Sequence, residues 1–504
     1  MSMQHRLRAP TGNGEVLAEP GFDAIPKLVD ENRRKLDRDD VRIGGMPLRE
    51  LRALARREVL NLVSRDPEST AGSARVHALP AVDSGSRLTN APLILAGHQP
   101  ELSHPGVWVK HFSLNGLAKI LGGIPLNLIV DNDTLKSPSL RFPVFHARAP
   151  ASVRLQSVAF DKVDGETYED RSVFDPEMFR TFADRAAPLW RNWGFEPALR
   201  CAWEYVTRFG DLQTNIGGLF AAVRQRYEHG WGCQNLELTV SRLAGTEAFR
   251  RYAAHVLHDL GRFREIYNAA IRSYRETNGI RSTNHPAPEL APDEAPFWVR
   301  TTLTRRERAT PASDVRTLRP RALTLTLFAR VCLGDFFIHG IGGGKYDEVT
   351  DAIIRNYFGI DPPAYQVLSA TLHLPLPGFP STDDDVKRAE RRVRDLMWNP
   401  QRHINPENAE RPEVQRLLAE KRELTENEPP HDDHAVRREW FRALHRVTER
   451  LRPFVWKQIP PAKARLAGIR AEADANAILR RRDYSWVLYP EETLRPFLQQ
   501  FLEV

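Results

Sequence analysis

Two histidines, a glutamine and two glycines crowd the stretch Leu93–Gly106, LILAGHQPELSHPG. The apolar run LILA reads as a short buried strand that closes at Gly97. In an open parallel sheet, ligands bind at the carboxyl ends of strands, beside the following helix. Pro105 suits a first helical position, which makes His104 the N-cap. Unpaired amides and the helix dipole favour an anion there. Imidazoles at such a place donate to phosphate oxygens or stabilise charge that develops in group transfer. Gly97 and Gly106 allow a ligand to approach the backbone. His98, Gln99 and His104 are therefore the first catalytic candidates, with hydrogen bonding within the loop and cap as the structural alternative.

A second candidate is Asp131-Asn132-Asp133, after the apolar run IPLNLIV. Asp131 and Asp133 have the chemistry to hold a ribose, a Mg²⁺ ion or a substrate amine; an Asx turn is the alternative. The third is HGIGGGKYD, residues 339–347, ahead of the helical pattern EVTDAIIRNYF. Glycine-rich backbone at a helix N-terminus cradles phosphates. Gly342, Gly343 and Gly344 are expected to bind a cofactor's phosphate and Lys345 to neutralise it. His339, Tyr346 and Asp347 are expected on the substrate side, Asp347 also as a helix cap. The segment is not a Walker A loop, because His339 and Tyr346 stand where its first glycine and its Ser/Thr belong. The polar stretch 267–290 adds Arg281, Asn284 and His285 as substrate-binding candidates. His98, His104, His111 and His146 show no HExxH or similar spacing, and no metal ligands or structural metal are expected. No GxSxG or Cys/His protease pattern is present.

The elements that must position these residues span a long chain. Its 504 residues exceed one ordinary core and imply two or three domains. Hydrophobic residues at 41% and charged residues at 27% fit a soluble globular protein. No apolar run reaches the roughly 18 residues of a membrane span, and MSMQHRLRAPTGNGE lacks the apolar core of a signal peptide. A cytoplasmic protein with no membrane partner is expected. Three scattered cysteines argue against a disulfide framework and for buried thiols. The net charge of +7 permits anionic partners. The arginine excess is spread out, however, and no nucleic-acid-binding motif accompanies it, so nucleic acid is not expected as a partner.

Residues 1–90 read as a mostly helical segment and linker. Residues 91–382 carry the strand–loop–helix–strand order of a βαβ unit, which predicts an α/β fold with a Rossmann-like parallel-sheet core and a helical insertion at about 198–296. Residues 383–480 are charged helices that suit a coiled-coil hairpin able to form a homodimer, or a bundle on its own core. Residues 481–504 are apolar enough to dock on the core.

The loop with His98 and His104 resembles, at wider spacing, the histidine motif of class I nucleotidyl transferases and adenylating ligases, whose histidines contact ATP phosphates. Three blocks together resemble the cysteine-adding enzyme family of bacillithiol biosynthesis. They are AGHQPELSHPGVWVKHFSLNGLAKI, LNLIVDNDTLKSP, and the run from LRPRALTLTL through HGIGGGKYD to LSATL at 368–372. The resemblance covers most of the chain in order. It implies a Rossmann-like core, a dimerising coiled coil, nucleotide involvement, and a reaction joining cysteine to an amino-sugar amine. Gly97 and Gln99 match the family's first loop, Asp131 and Asp133 part of its acidic run, and Gly342 to Gly344 its glycine loop. His98, the HPG turn at 104–106 and Lys345 depart from the family's pattern, so the implied substrate is the least transferable feature. The expected protein is a ligase (carbon–nitrogen bond forming) or nucleotidyl-transferase-like enzyme for a small anionic substrate. ATP or another nucleotide, with or without Mg²⁺, is the cofactor that reading allows. The alternative is a non-catalytic dimer that binds a nucleotide or sugar phosphate.

Overall fold

The computed structural model describes residues 7–64, 90–145, 149–162, 165–209, 215–301 and 306–504. They fold as an α/β protein around a mixed, mostly parallel sheet. Strand β1 is Val16–Glu19, and a short hairpin follows as β2 (Arg42–Ile43) and β3 (Met46–Pro47). Next come β4 (Leu93–His98), β5 (Ile124–Ile129), and a separate ribbon of β6 (Ser139–Val144) and β7 (Arg154–Ala159). Then come β8 (Leu236–Thr239), the strands β9 (Phe297–Arg300), β10 (Arg306–Arg308) and β11 (Leu318–Pro320) of a three-stranded sheet, β12 (Phe336–His339) and β13 (Gln366–Ala370).

The main sheet runs β1-β13-β12-β4-β5-β8. Only β1 is antiparallel, against β13; every other pair is parallel. Parallel strands are covered on both faces and read as continuous apolar runs. Leu93 to Ala96 and all of β12 are accordingly buried. Numbered by chain order among themselves, the five parallel strands lie as 3-2-1-4-5, so the order reverses between β4 and β12. Asp335, one residue ahead of β12, anchors this centre. It accepts from the Leu93 amide at 2.8 Å and pairs with Arg52 at 2.7 Å and Arg56 at 3.0 Å, both on the Leu48–Ser64 helix.

The expected βαβ unit is present. Helix Pro105–Ile120 joins β4 to β5, and Gly122, at φ +58°, turns the chain just past its C-terminus. The stretch 198–296 is not purely helical. Helices Leu199–Phe209 and Ile216–Gly230 precede β8, an edge strand of the main sheet. Four residues, LELT, are too short a pattern to announce a strand amid long helices.

The chain divides into two compact units. The first comprises residues 1–142, 156–375 and 482–504; the second comprises 143–155 and 376–481. In the second, helix Asp383–Trp398 pairs with Ile459–Leu479, and Pro412–Glu426 with His434–Leu451. Val414, Leu417, Val447 and Leu451 form a small core of the latter pair. The Thr382 hydroxyl and Asp385 carboxylate make a capping box at the first of these helices. No helix among the described residues is long and apolar enough to cross a membrane. Cys233 and Cys332 are buried, but Cys201 is exposed, against expectation: it lies on a solvent-facing stripe of an amphipathic helix.

Candidate functional site

Three loops leave neighbouring parallel strands at the same edge of the sheet: 98–104 after β4, 130–135 after β5 and Gly340 after β12. Where the strand order reverses, the loops on either side diverge and leave a crevice. Lys110 fills that place. It is on the buried side of helix Pro105–Ile120, 3% exposed, and its Nζ donates to the Gly97 carbonyl at 3.1 Å. The Nζ atom is also 4.0 Å from where a Cβ on Gly340 would sit, beside the N-terminus of helix Ile341–Ile353. Among the described residues no carboxylate pairs with it. Burial alone lowers its pKa to about 8.

His98 and His104 share one cavity of about 540 Å³, with Glu101, Lys136, Arg141 and Asp483 also in its walls. His98 Nδ1 lies 3.0 Å from the Gln99 carbonyl oxygen. With that nitrogen protonated and donating, Nε2 keeps its lone pair. Burial and then the Lys110 charge hold the His98 pKa down at about 3. His104 is the helix N-cap, as expected, with Pro105 following, but its side chain makes no cap hydrogen bond. Its Nδ1 is buried without a partner among the described residues. Burial, then Arg482, lowers its pKa to about 4. Both rings are neutral near pH 7. Burial raises the Glu101 pKa, against the opposing charge of Lys136.

Gln99 turns to a second cavity, of about 310 Å³, shared with Asp133, Trp298, Arg306, Arg321 and Tyr346. Gln99 Nε2 donates to Asp133 Oδ2 at 3.0 Å, and Arg306 Nη1 to Asp133 Oδ1 at 2.8 Å. Burial works to raise the Asp133 pKa; the Gln99 and Arg306 contacts outweigh it and leave it lowered. This cavity brings together one candidate from each sequence block: Gln99, Asp133 and Tyr346.

Several expectations change. Asp131 is buried and bonded to the Ser241 amide at 2.9 Å and to the Ser241 hydroxyl. Burial raises its pKa to about 6. It holds the start of the segment Val240–Ala244 and lines neither cavity. Gly342, Gly343 and Gly344 are not a loop. The helix begins at Ile341 with Gly340 as N-cap, so the glycines form its first turn. A Cβ on Gly343 would meet His339 Nδ1 at 2.7 Å, and one on Gly344 would meet Val367 at 2.4 Å. Those two glycines serve close helix–strand packing; Gly342 faces open space. Asp347 is not a cap. It is buried one turn later, 2.6 Å from His339 Nε2 and 2.9 Å from Arg330 Nη1. His339 is thereby tied to Asp347 through Nε2, and its ring stacks on Phe337. Gly106 packs rather than cradles: a Cβ there would stand 2.0 Å from the Ala370 carbonyl oxygen. Gly97 is likewise close to its neighbour strand, 3.2 Å from the Leu128 oxygen by the same measure, while its own carbonyl serves Lys110. Lys345 is half-buried, in the helix's second turn. Arg281 and Asn284 are exposed and line neither cavity. His285 packs on Tyr346 at 5.8 Å between ring centres, at the margin of the second cavity. His146 lies outside the described residues.

The sequence reading missed Lys110, Trp298, Arg306 and Arg321. A signal for Lys110 existed: it is a charged residue amid Trp108, Val109, Phe112 and Leu114, the apolar run of its helix. Among the described residues one cluster carries metal-ligand types, namely His111, Glu228 and Glu237, whose donor atoms lie within 4.8 Å of one another. Arg224 bridges it, at 2.5 Å to Glu228 and 2.7 Å to Glu237. A guanidinium already supplies the cation that those carboxylates require. No protein-family model matches the chain, and no curated protein is detectably similar to it.

Proposed function

We propose that this chain is a ligase or transferase acting on a small anionic substrate of sugar- or nucleotide-like chemistry, at the reversal point of a Rossmann-like core. The observation that carries the reading is Lys110: an ammonium with no carboxylate partner among the described residues, buried beside a helix N-terminus. Two positive centres without an acid between them repel each other, and an anion that joins them relieves that repulsion. Such an anion raises the proton affinity of Lys110 and of the nearby His98. The imidazole then becomes an effective base only with substrate in place. His104, whose Nδ1 has no partner among the described residues and which shares its cavity with His98, is a further donor or acceptor toward the bound group.

Phosphate donors fit this arrangement, so ATP or another nucleotide is an acceptable partner, supplying an activated phosphoryl or nucleotidyl group. Mg²⁺ held by Asp131 and Asp133 does not fit. Ser241 occupies the oxygens of Asp131, and Gln99, Thr134 and Arg306 those of Asp133. The likeness to the bacillithiol cysteine-adding enzymes favours amide formation between an amino acid and an amino-sugar amine. The test is incubation with ATP, cysteine and amino-sugar acceptors, read by mass spectrometry, beside thermal shifts with pyrophosphate and ATP. The expected result is a conjugate with AMP or ADP release, lost in His98→Ala and Lys110→Met. Ligand binding without turnover would make the protein a non-catalytic binder. Unchanged activity in both variants would remove the reading.

We also infer that the helical unit forms a homodimer. Trp398, 49% exposed, packs on His445 at 5.1 Å, and His445 on Phe441, 58% exposed. This exposed aromatic patch, on a unit whose own core is small, suits a second copy of itself. Sedimentation of the wild type and of Phe441→Glu tests it: a dimer that becomes a monomer is expected, and a monomeric wild type overturns it.

A further inference from the structure

We propose that the cavity of about 310 Å³ is a second binding site, for a flat aromatic ring that bears one anionic group and an N–H donor. It goes beyond the reading above and shares only Gln99 with its loop. His98 and Gln99 are successive residues at an extended strand end, so their side chains leave on opposite sides. His98 faces the larger cavity and Gln99 this one.

The three-stranded sheet builds the charge. Trp298 on β9 stands directly opposite Arg308 on β10 and Arg319 on β11, and Arg300 opposite Arg306. Directly paired and alternate residues share a face, so Arg300, Arg306, Arg308 and Arg319 surround Trp298, and Arg321 follows two residues after Arg319. The Arg306 and Arg321 guanidiniums lie 4.6 and 4.2 Å from the Trp298 ring centre. Four carboxylates answer these five cations. Asp133 pairs with Arg306, and Glu294 with Arg308 and Arg321. Glu169 pairs with Arg319, and Asp170 with Arg300. Among the described residues one positive charge is left over, and Arg308 holds Glu294 only at 3.4 Å. That is the place for a single anionic group.

The rest of the wall selects shape. Tyr267, Tyr346, Leu323 and Pro286 bound an apolar slot, which suits a ring more than a chain. In the same wall Asn132 Nδ2 donates to the Pro320 carbonyl at 2.7 Å, whereas its Oδ1 is buried without a partner among the described residues. A buried amide oxygen calls for a donor. A nucleobase monophosphate and an amino-substituted aryl carboxylate both have this chemistry.

The experiment is isothermal titration with adenosine monophosphate and, separately, anthranilate. Controls are cyclohexanecarboxylate, which has no flat ring, and aniline, which has no charge. At least one of the two anions is expected to bind with Kd below about 1 mM, and neither control should. Which anion binds more tightly identifies the source. Arg308→Gln, whose side chain is 68% exposed and so spares the fold, should weaken binding about tenfold, the loss of one charge-assisted hydrogen bond. Trp298→Leu should weaken it further, and His98→Ala should leave it unchanged, which separates this site from the larger cavity. Failure of both anions to bind, equal binding of the controls, or unchanged affinity in both Arg308→Gln and Trp298→Leu overturns the proposal.

Discussion

Lys110 Nζ donates to the carbonyl of Gly97 at 3.1 Å, and through this contact one helix carries its only buried ammonium to the end of the strand that precedes it. A single neutral carbonyl is a poor counterpart for a desolvated charge. A methionine of similar length would pack in the same place without that cost. The lysine is thus better explained by something it binds than by the fold it sits in.

Lys110→Met is therefore expected to stabilise the free protein, by about 1–3 kcal/mol in urea unfolding. The gain should depend on pH in a set direction. The folded Lys110 pKa is near 8, below its ordinary 10.5, so the unfolded chain binds more protons between those values. Wild-type stability then rises from about pH 8 toward pH 10.5, and the variant loses that rise. Stabilisation by added pyrophosphate should vanish in the same variant. A destabilised Lys110→Met that still responds to pyrophosphate would make the residue structural.

Acid should act through the two histidines. Folded His98 and His104 hold pKa values near 3 and 4, against the ordinary 6.5, so the unfolded state binds the additional protons as pH falls below 6.5. Together they are expected to take away up to about 2.7 kcal/mol per pH unit over the range where both differ. Asp131 opposes this. Its folded pKa is raised to about 6, so its contribution is full below 3.8 and is lost as pH rises through 6. Glu101, raised by burial, opposes it too, but Asp133 and Glu228, held below their ordinary values by their partners, act with the histidines, and the net slope stays destabilising toward acid. His98→Asn should flatten the slope by up to about 1.4 kcal/mol per pH unit. Urea midpoints at several pH values check it, and an unaltered slope in the variant would sink the assignment.

The parts of this architecture that were legible in the sequence are those with local signals. LILA before Gly97, Pro105 after His104 and the glycines that end the helix mark the β4–helix–β5 unit by strand, cap and stop chemistry. β1 and β8 carry no such mark, since four residues each take their place in the sheet from long-range pairing. Glycine types were visible but their purpose was not. Gly106 and Gly344 are small because a neighbouring strand is close, a fact that only the tertiary fold contains. Asp131 and Asp133 look equivalent by spacing, yet Ser241, over a hundred residues away, binds one of them and Gln99 the other. The arginine excess looked like a diffuse surface until strand pairing gathered four of them around Trp298.

The glycines give a direct contrast. Gly106→Ala would put a Cβ 2.0 Å from the Ala370 oxygen, a clash with backbone, and should cost about 2 kcal/mol or more. Gly342→Ala meets open space at a negative φ in the first turn of a helix, and should stabilise by about 0.5–1 kcal/mol. Thermal unfolding of the two variants checks both signs. Equal effects would mean that the approach of helix Pro105–Ile120 to β13 is looser than described.

Arg224 offers the sharpest test of the buried charge network. Its guanidinium neutralises Glu228 and Glu237 and lies 3.1 Å from His111 Nδ1, all in the interior. Arg224→Met leaves two carboxylates facing each other without a cation, and is expected to destabilise by about 3–5 kcal/mol. The same change leaves one imidazole and two carboxylates with donor atoms within 4.8 Å of one another, the ligand types and spacing that Zn²⁺ accepts. Zn²⁺ should then restore part of the lost stability in Arg224→Met and leave the wild-type melting temperature unmoved. The reason is that the ion binds only the folded variant, and the wild type already holds a cation in that place. A wild type stabilised by Zn²⁺ to the same extent would show that the guanidinium does not fill the site.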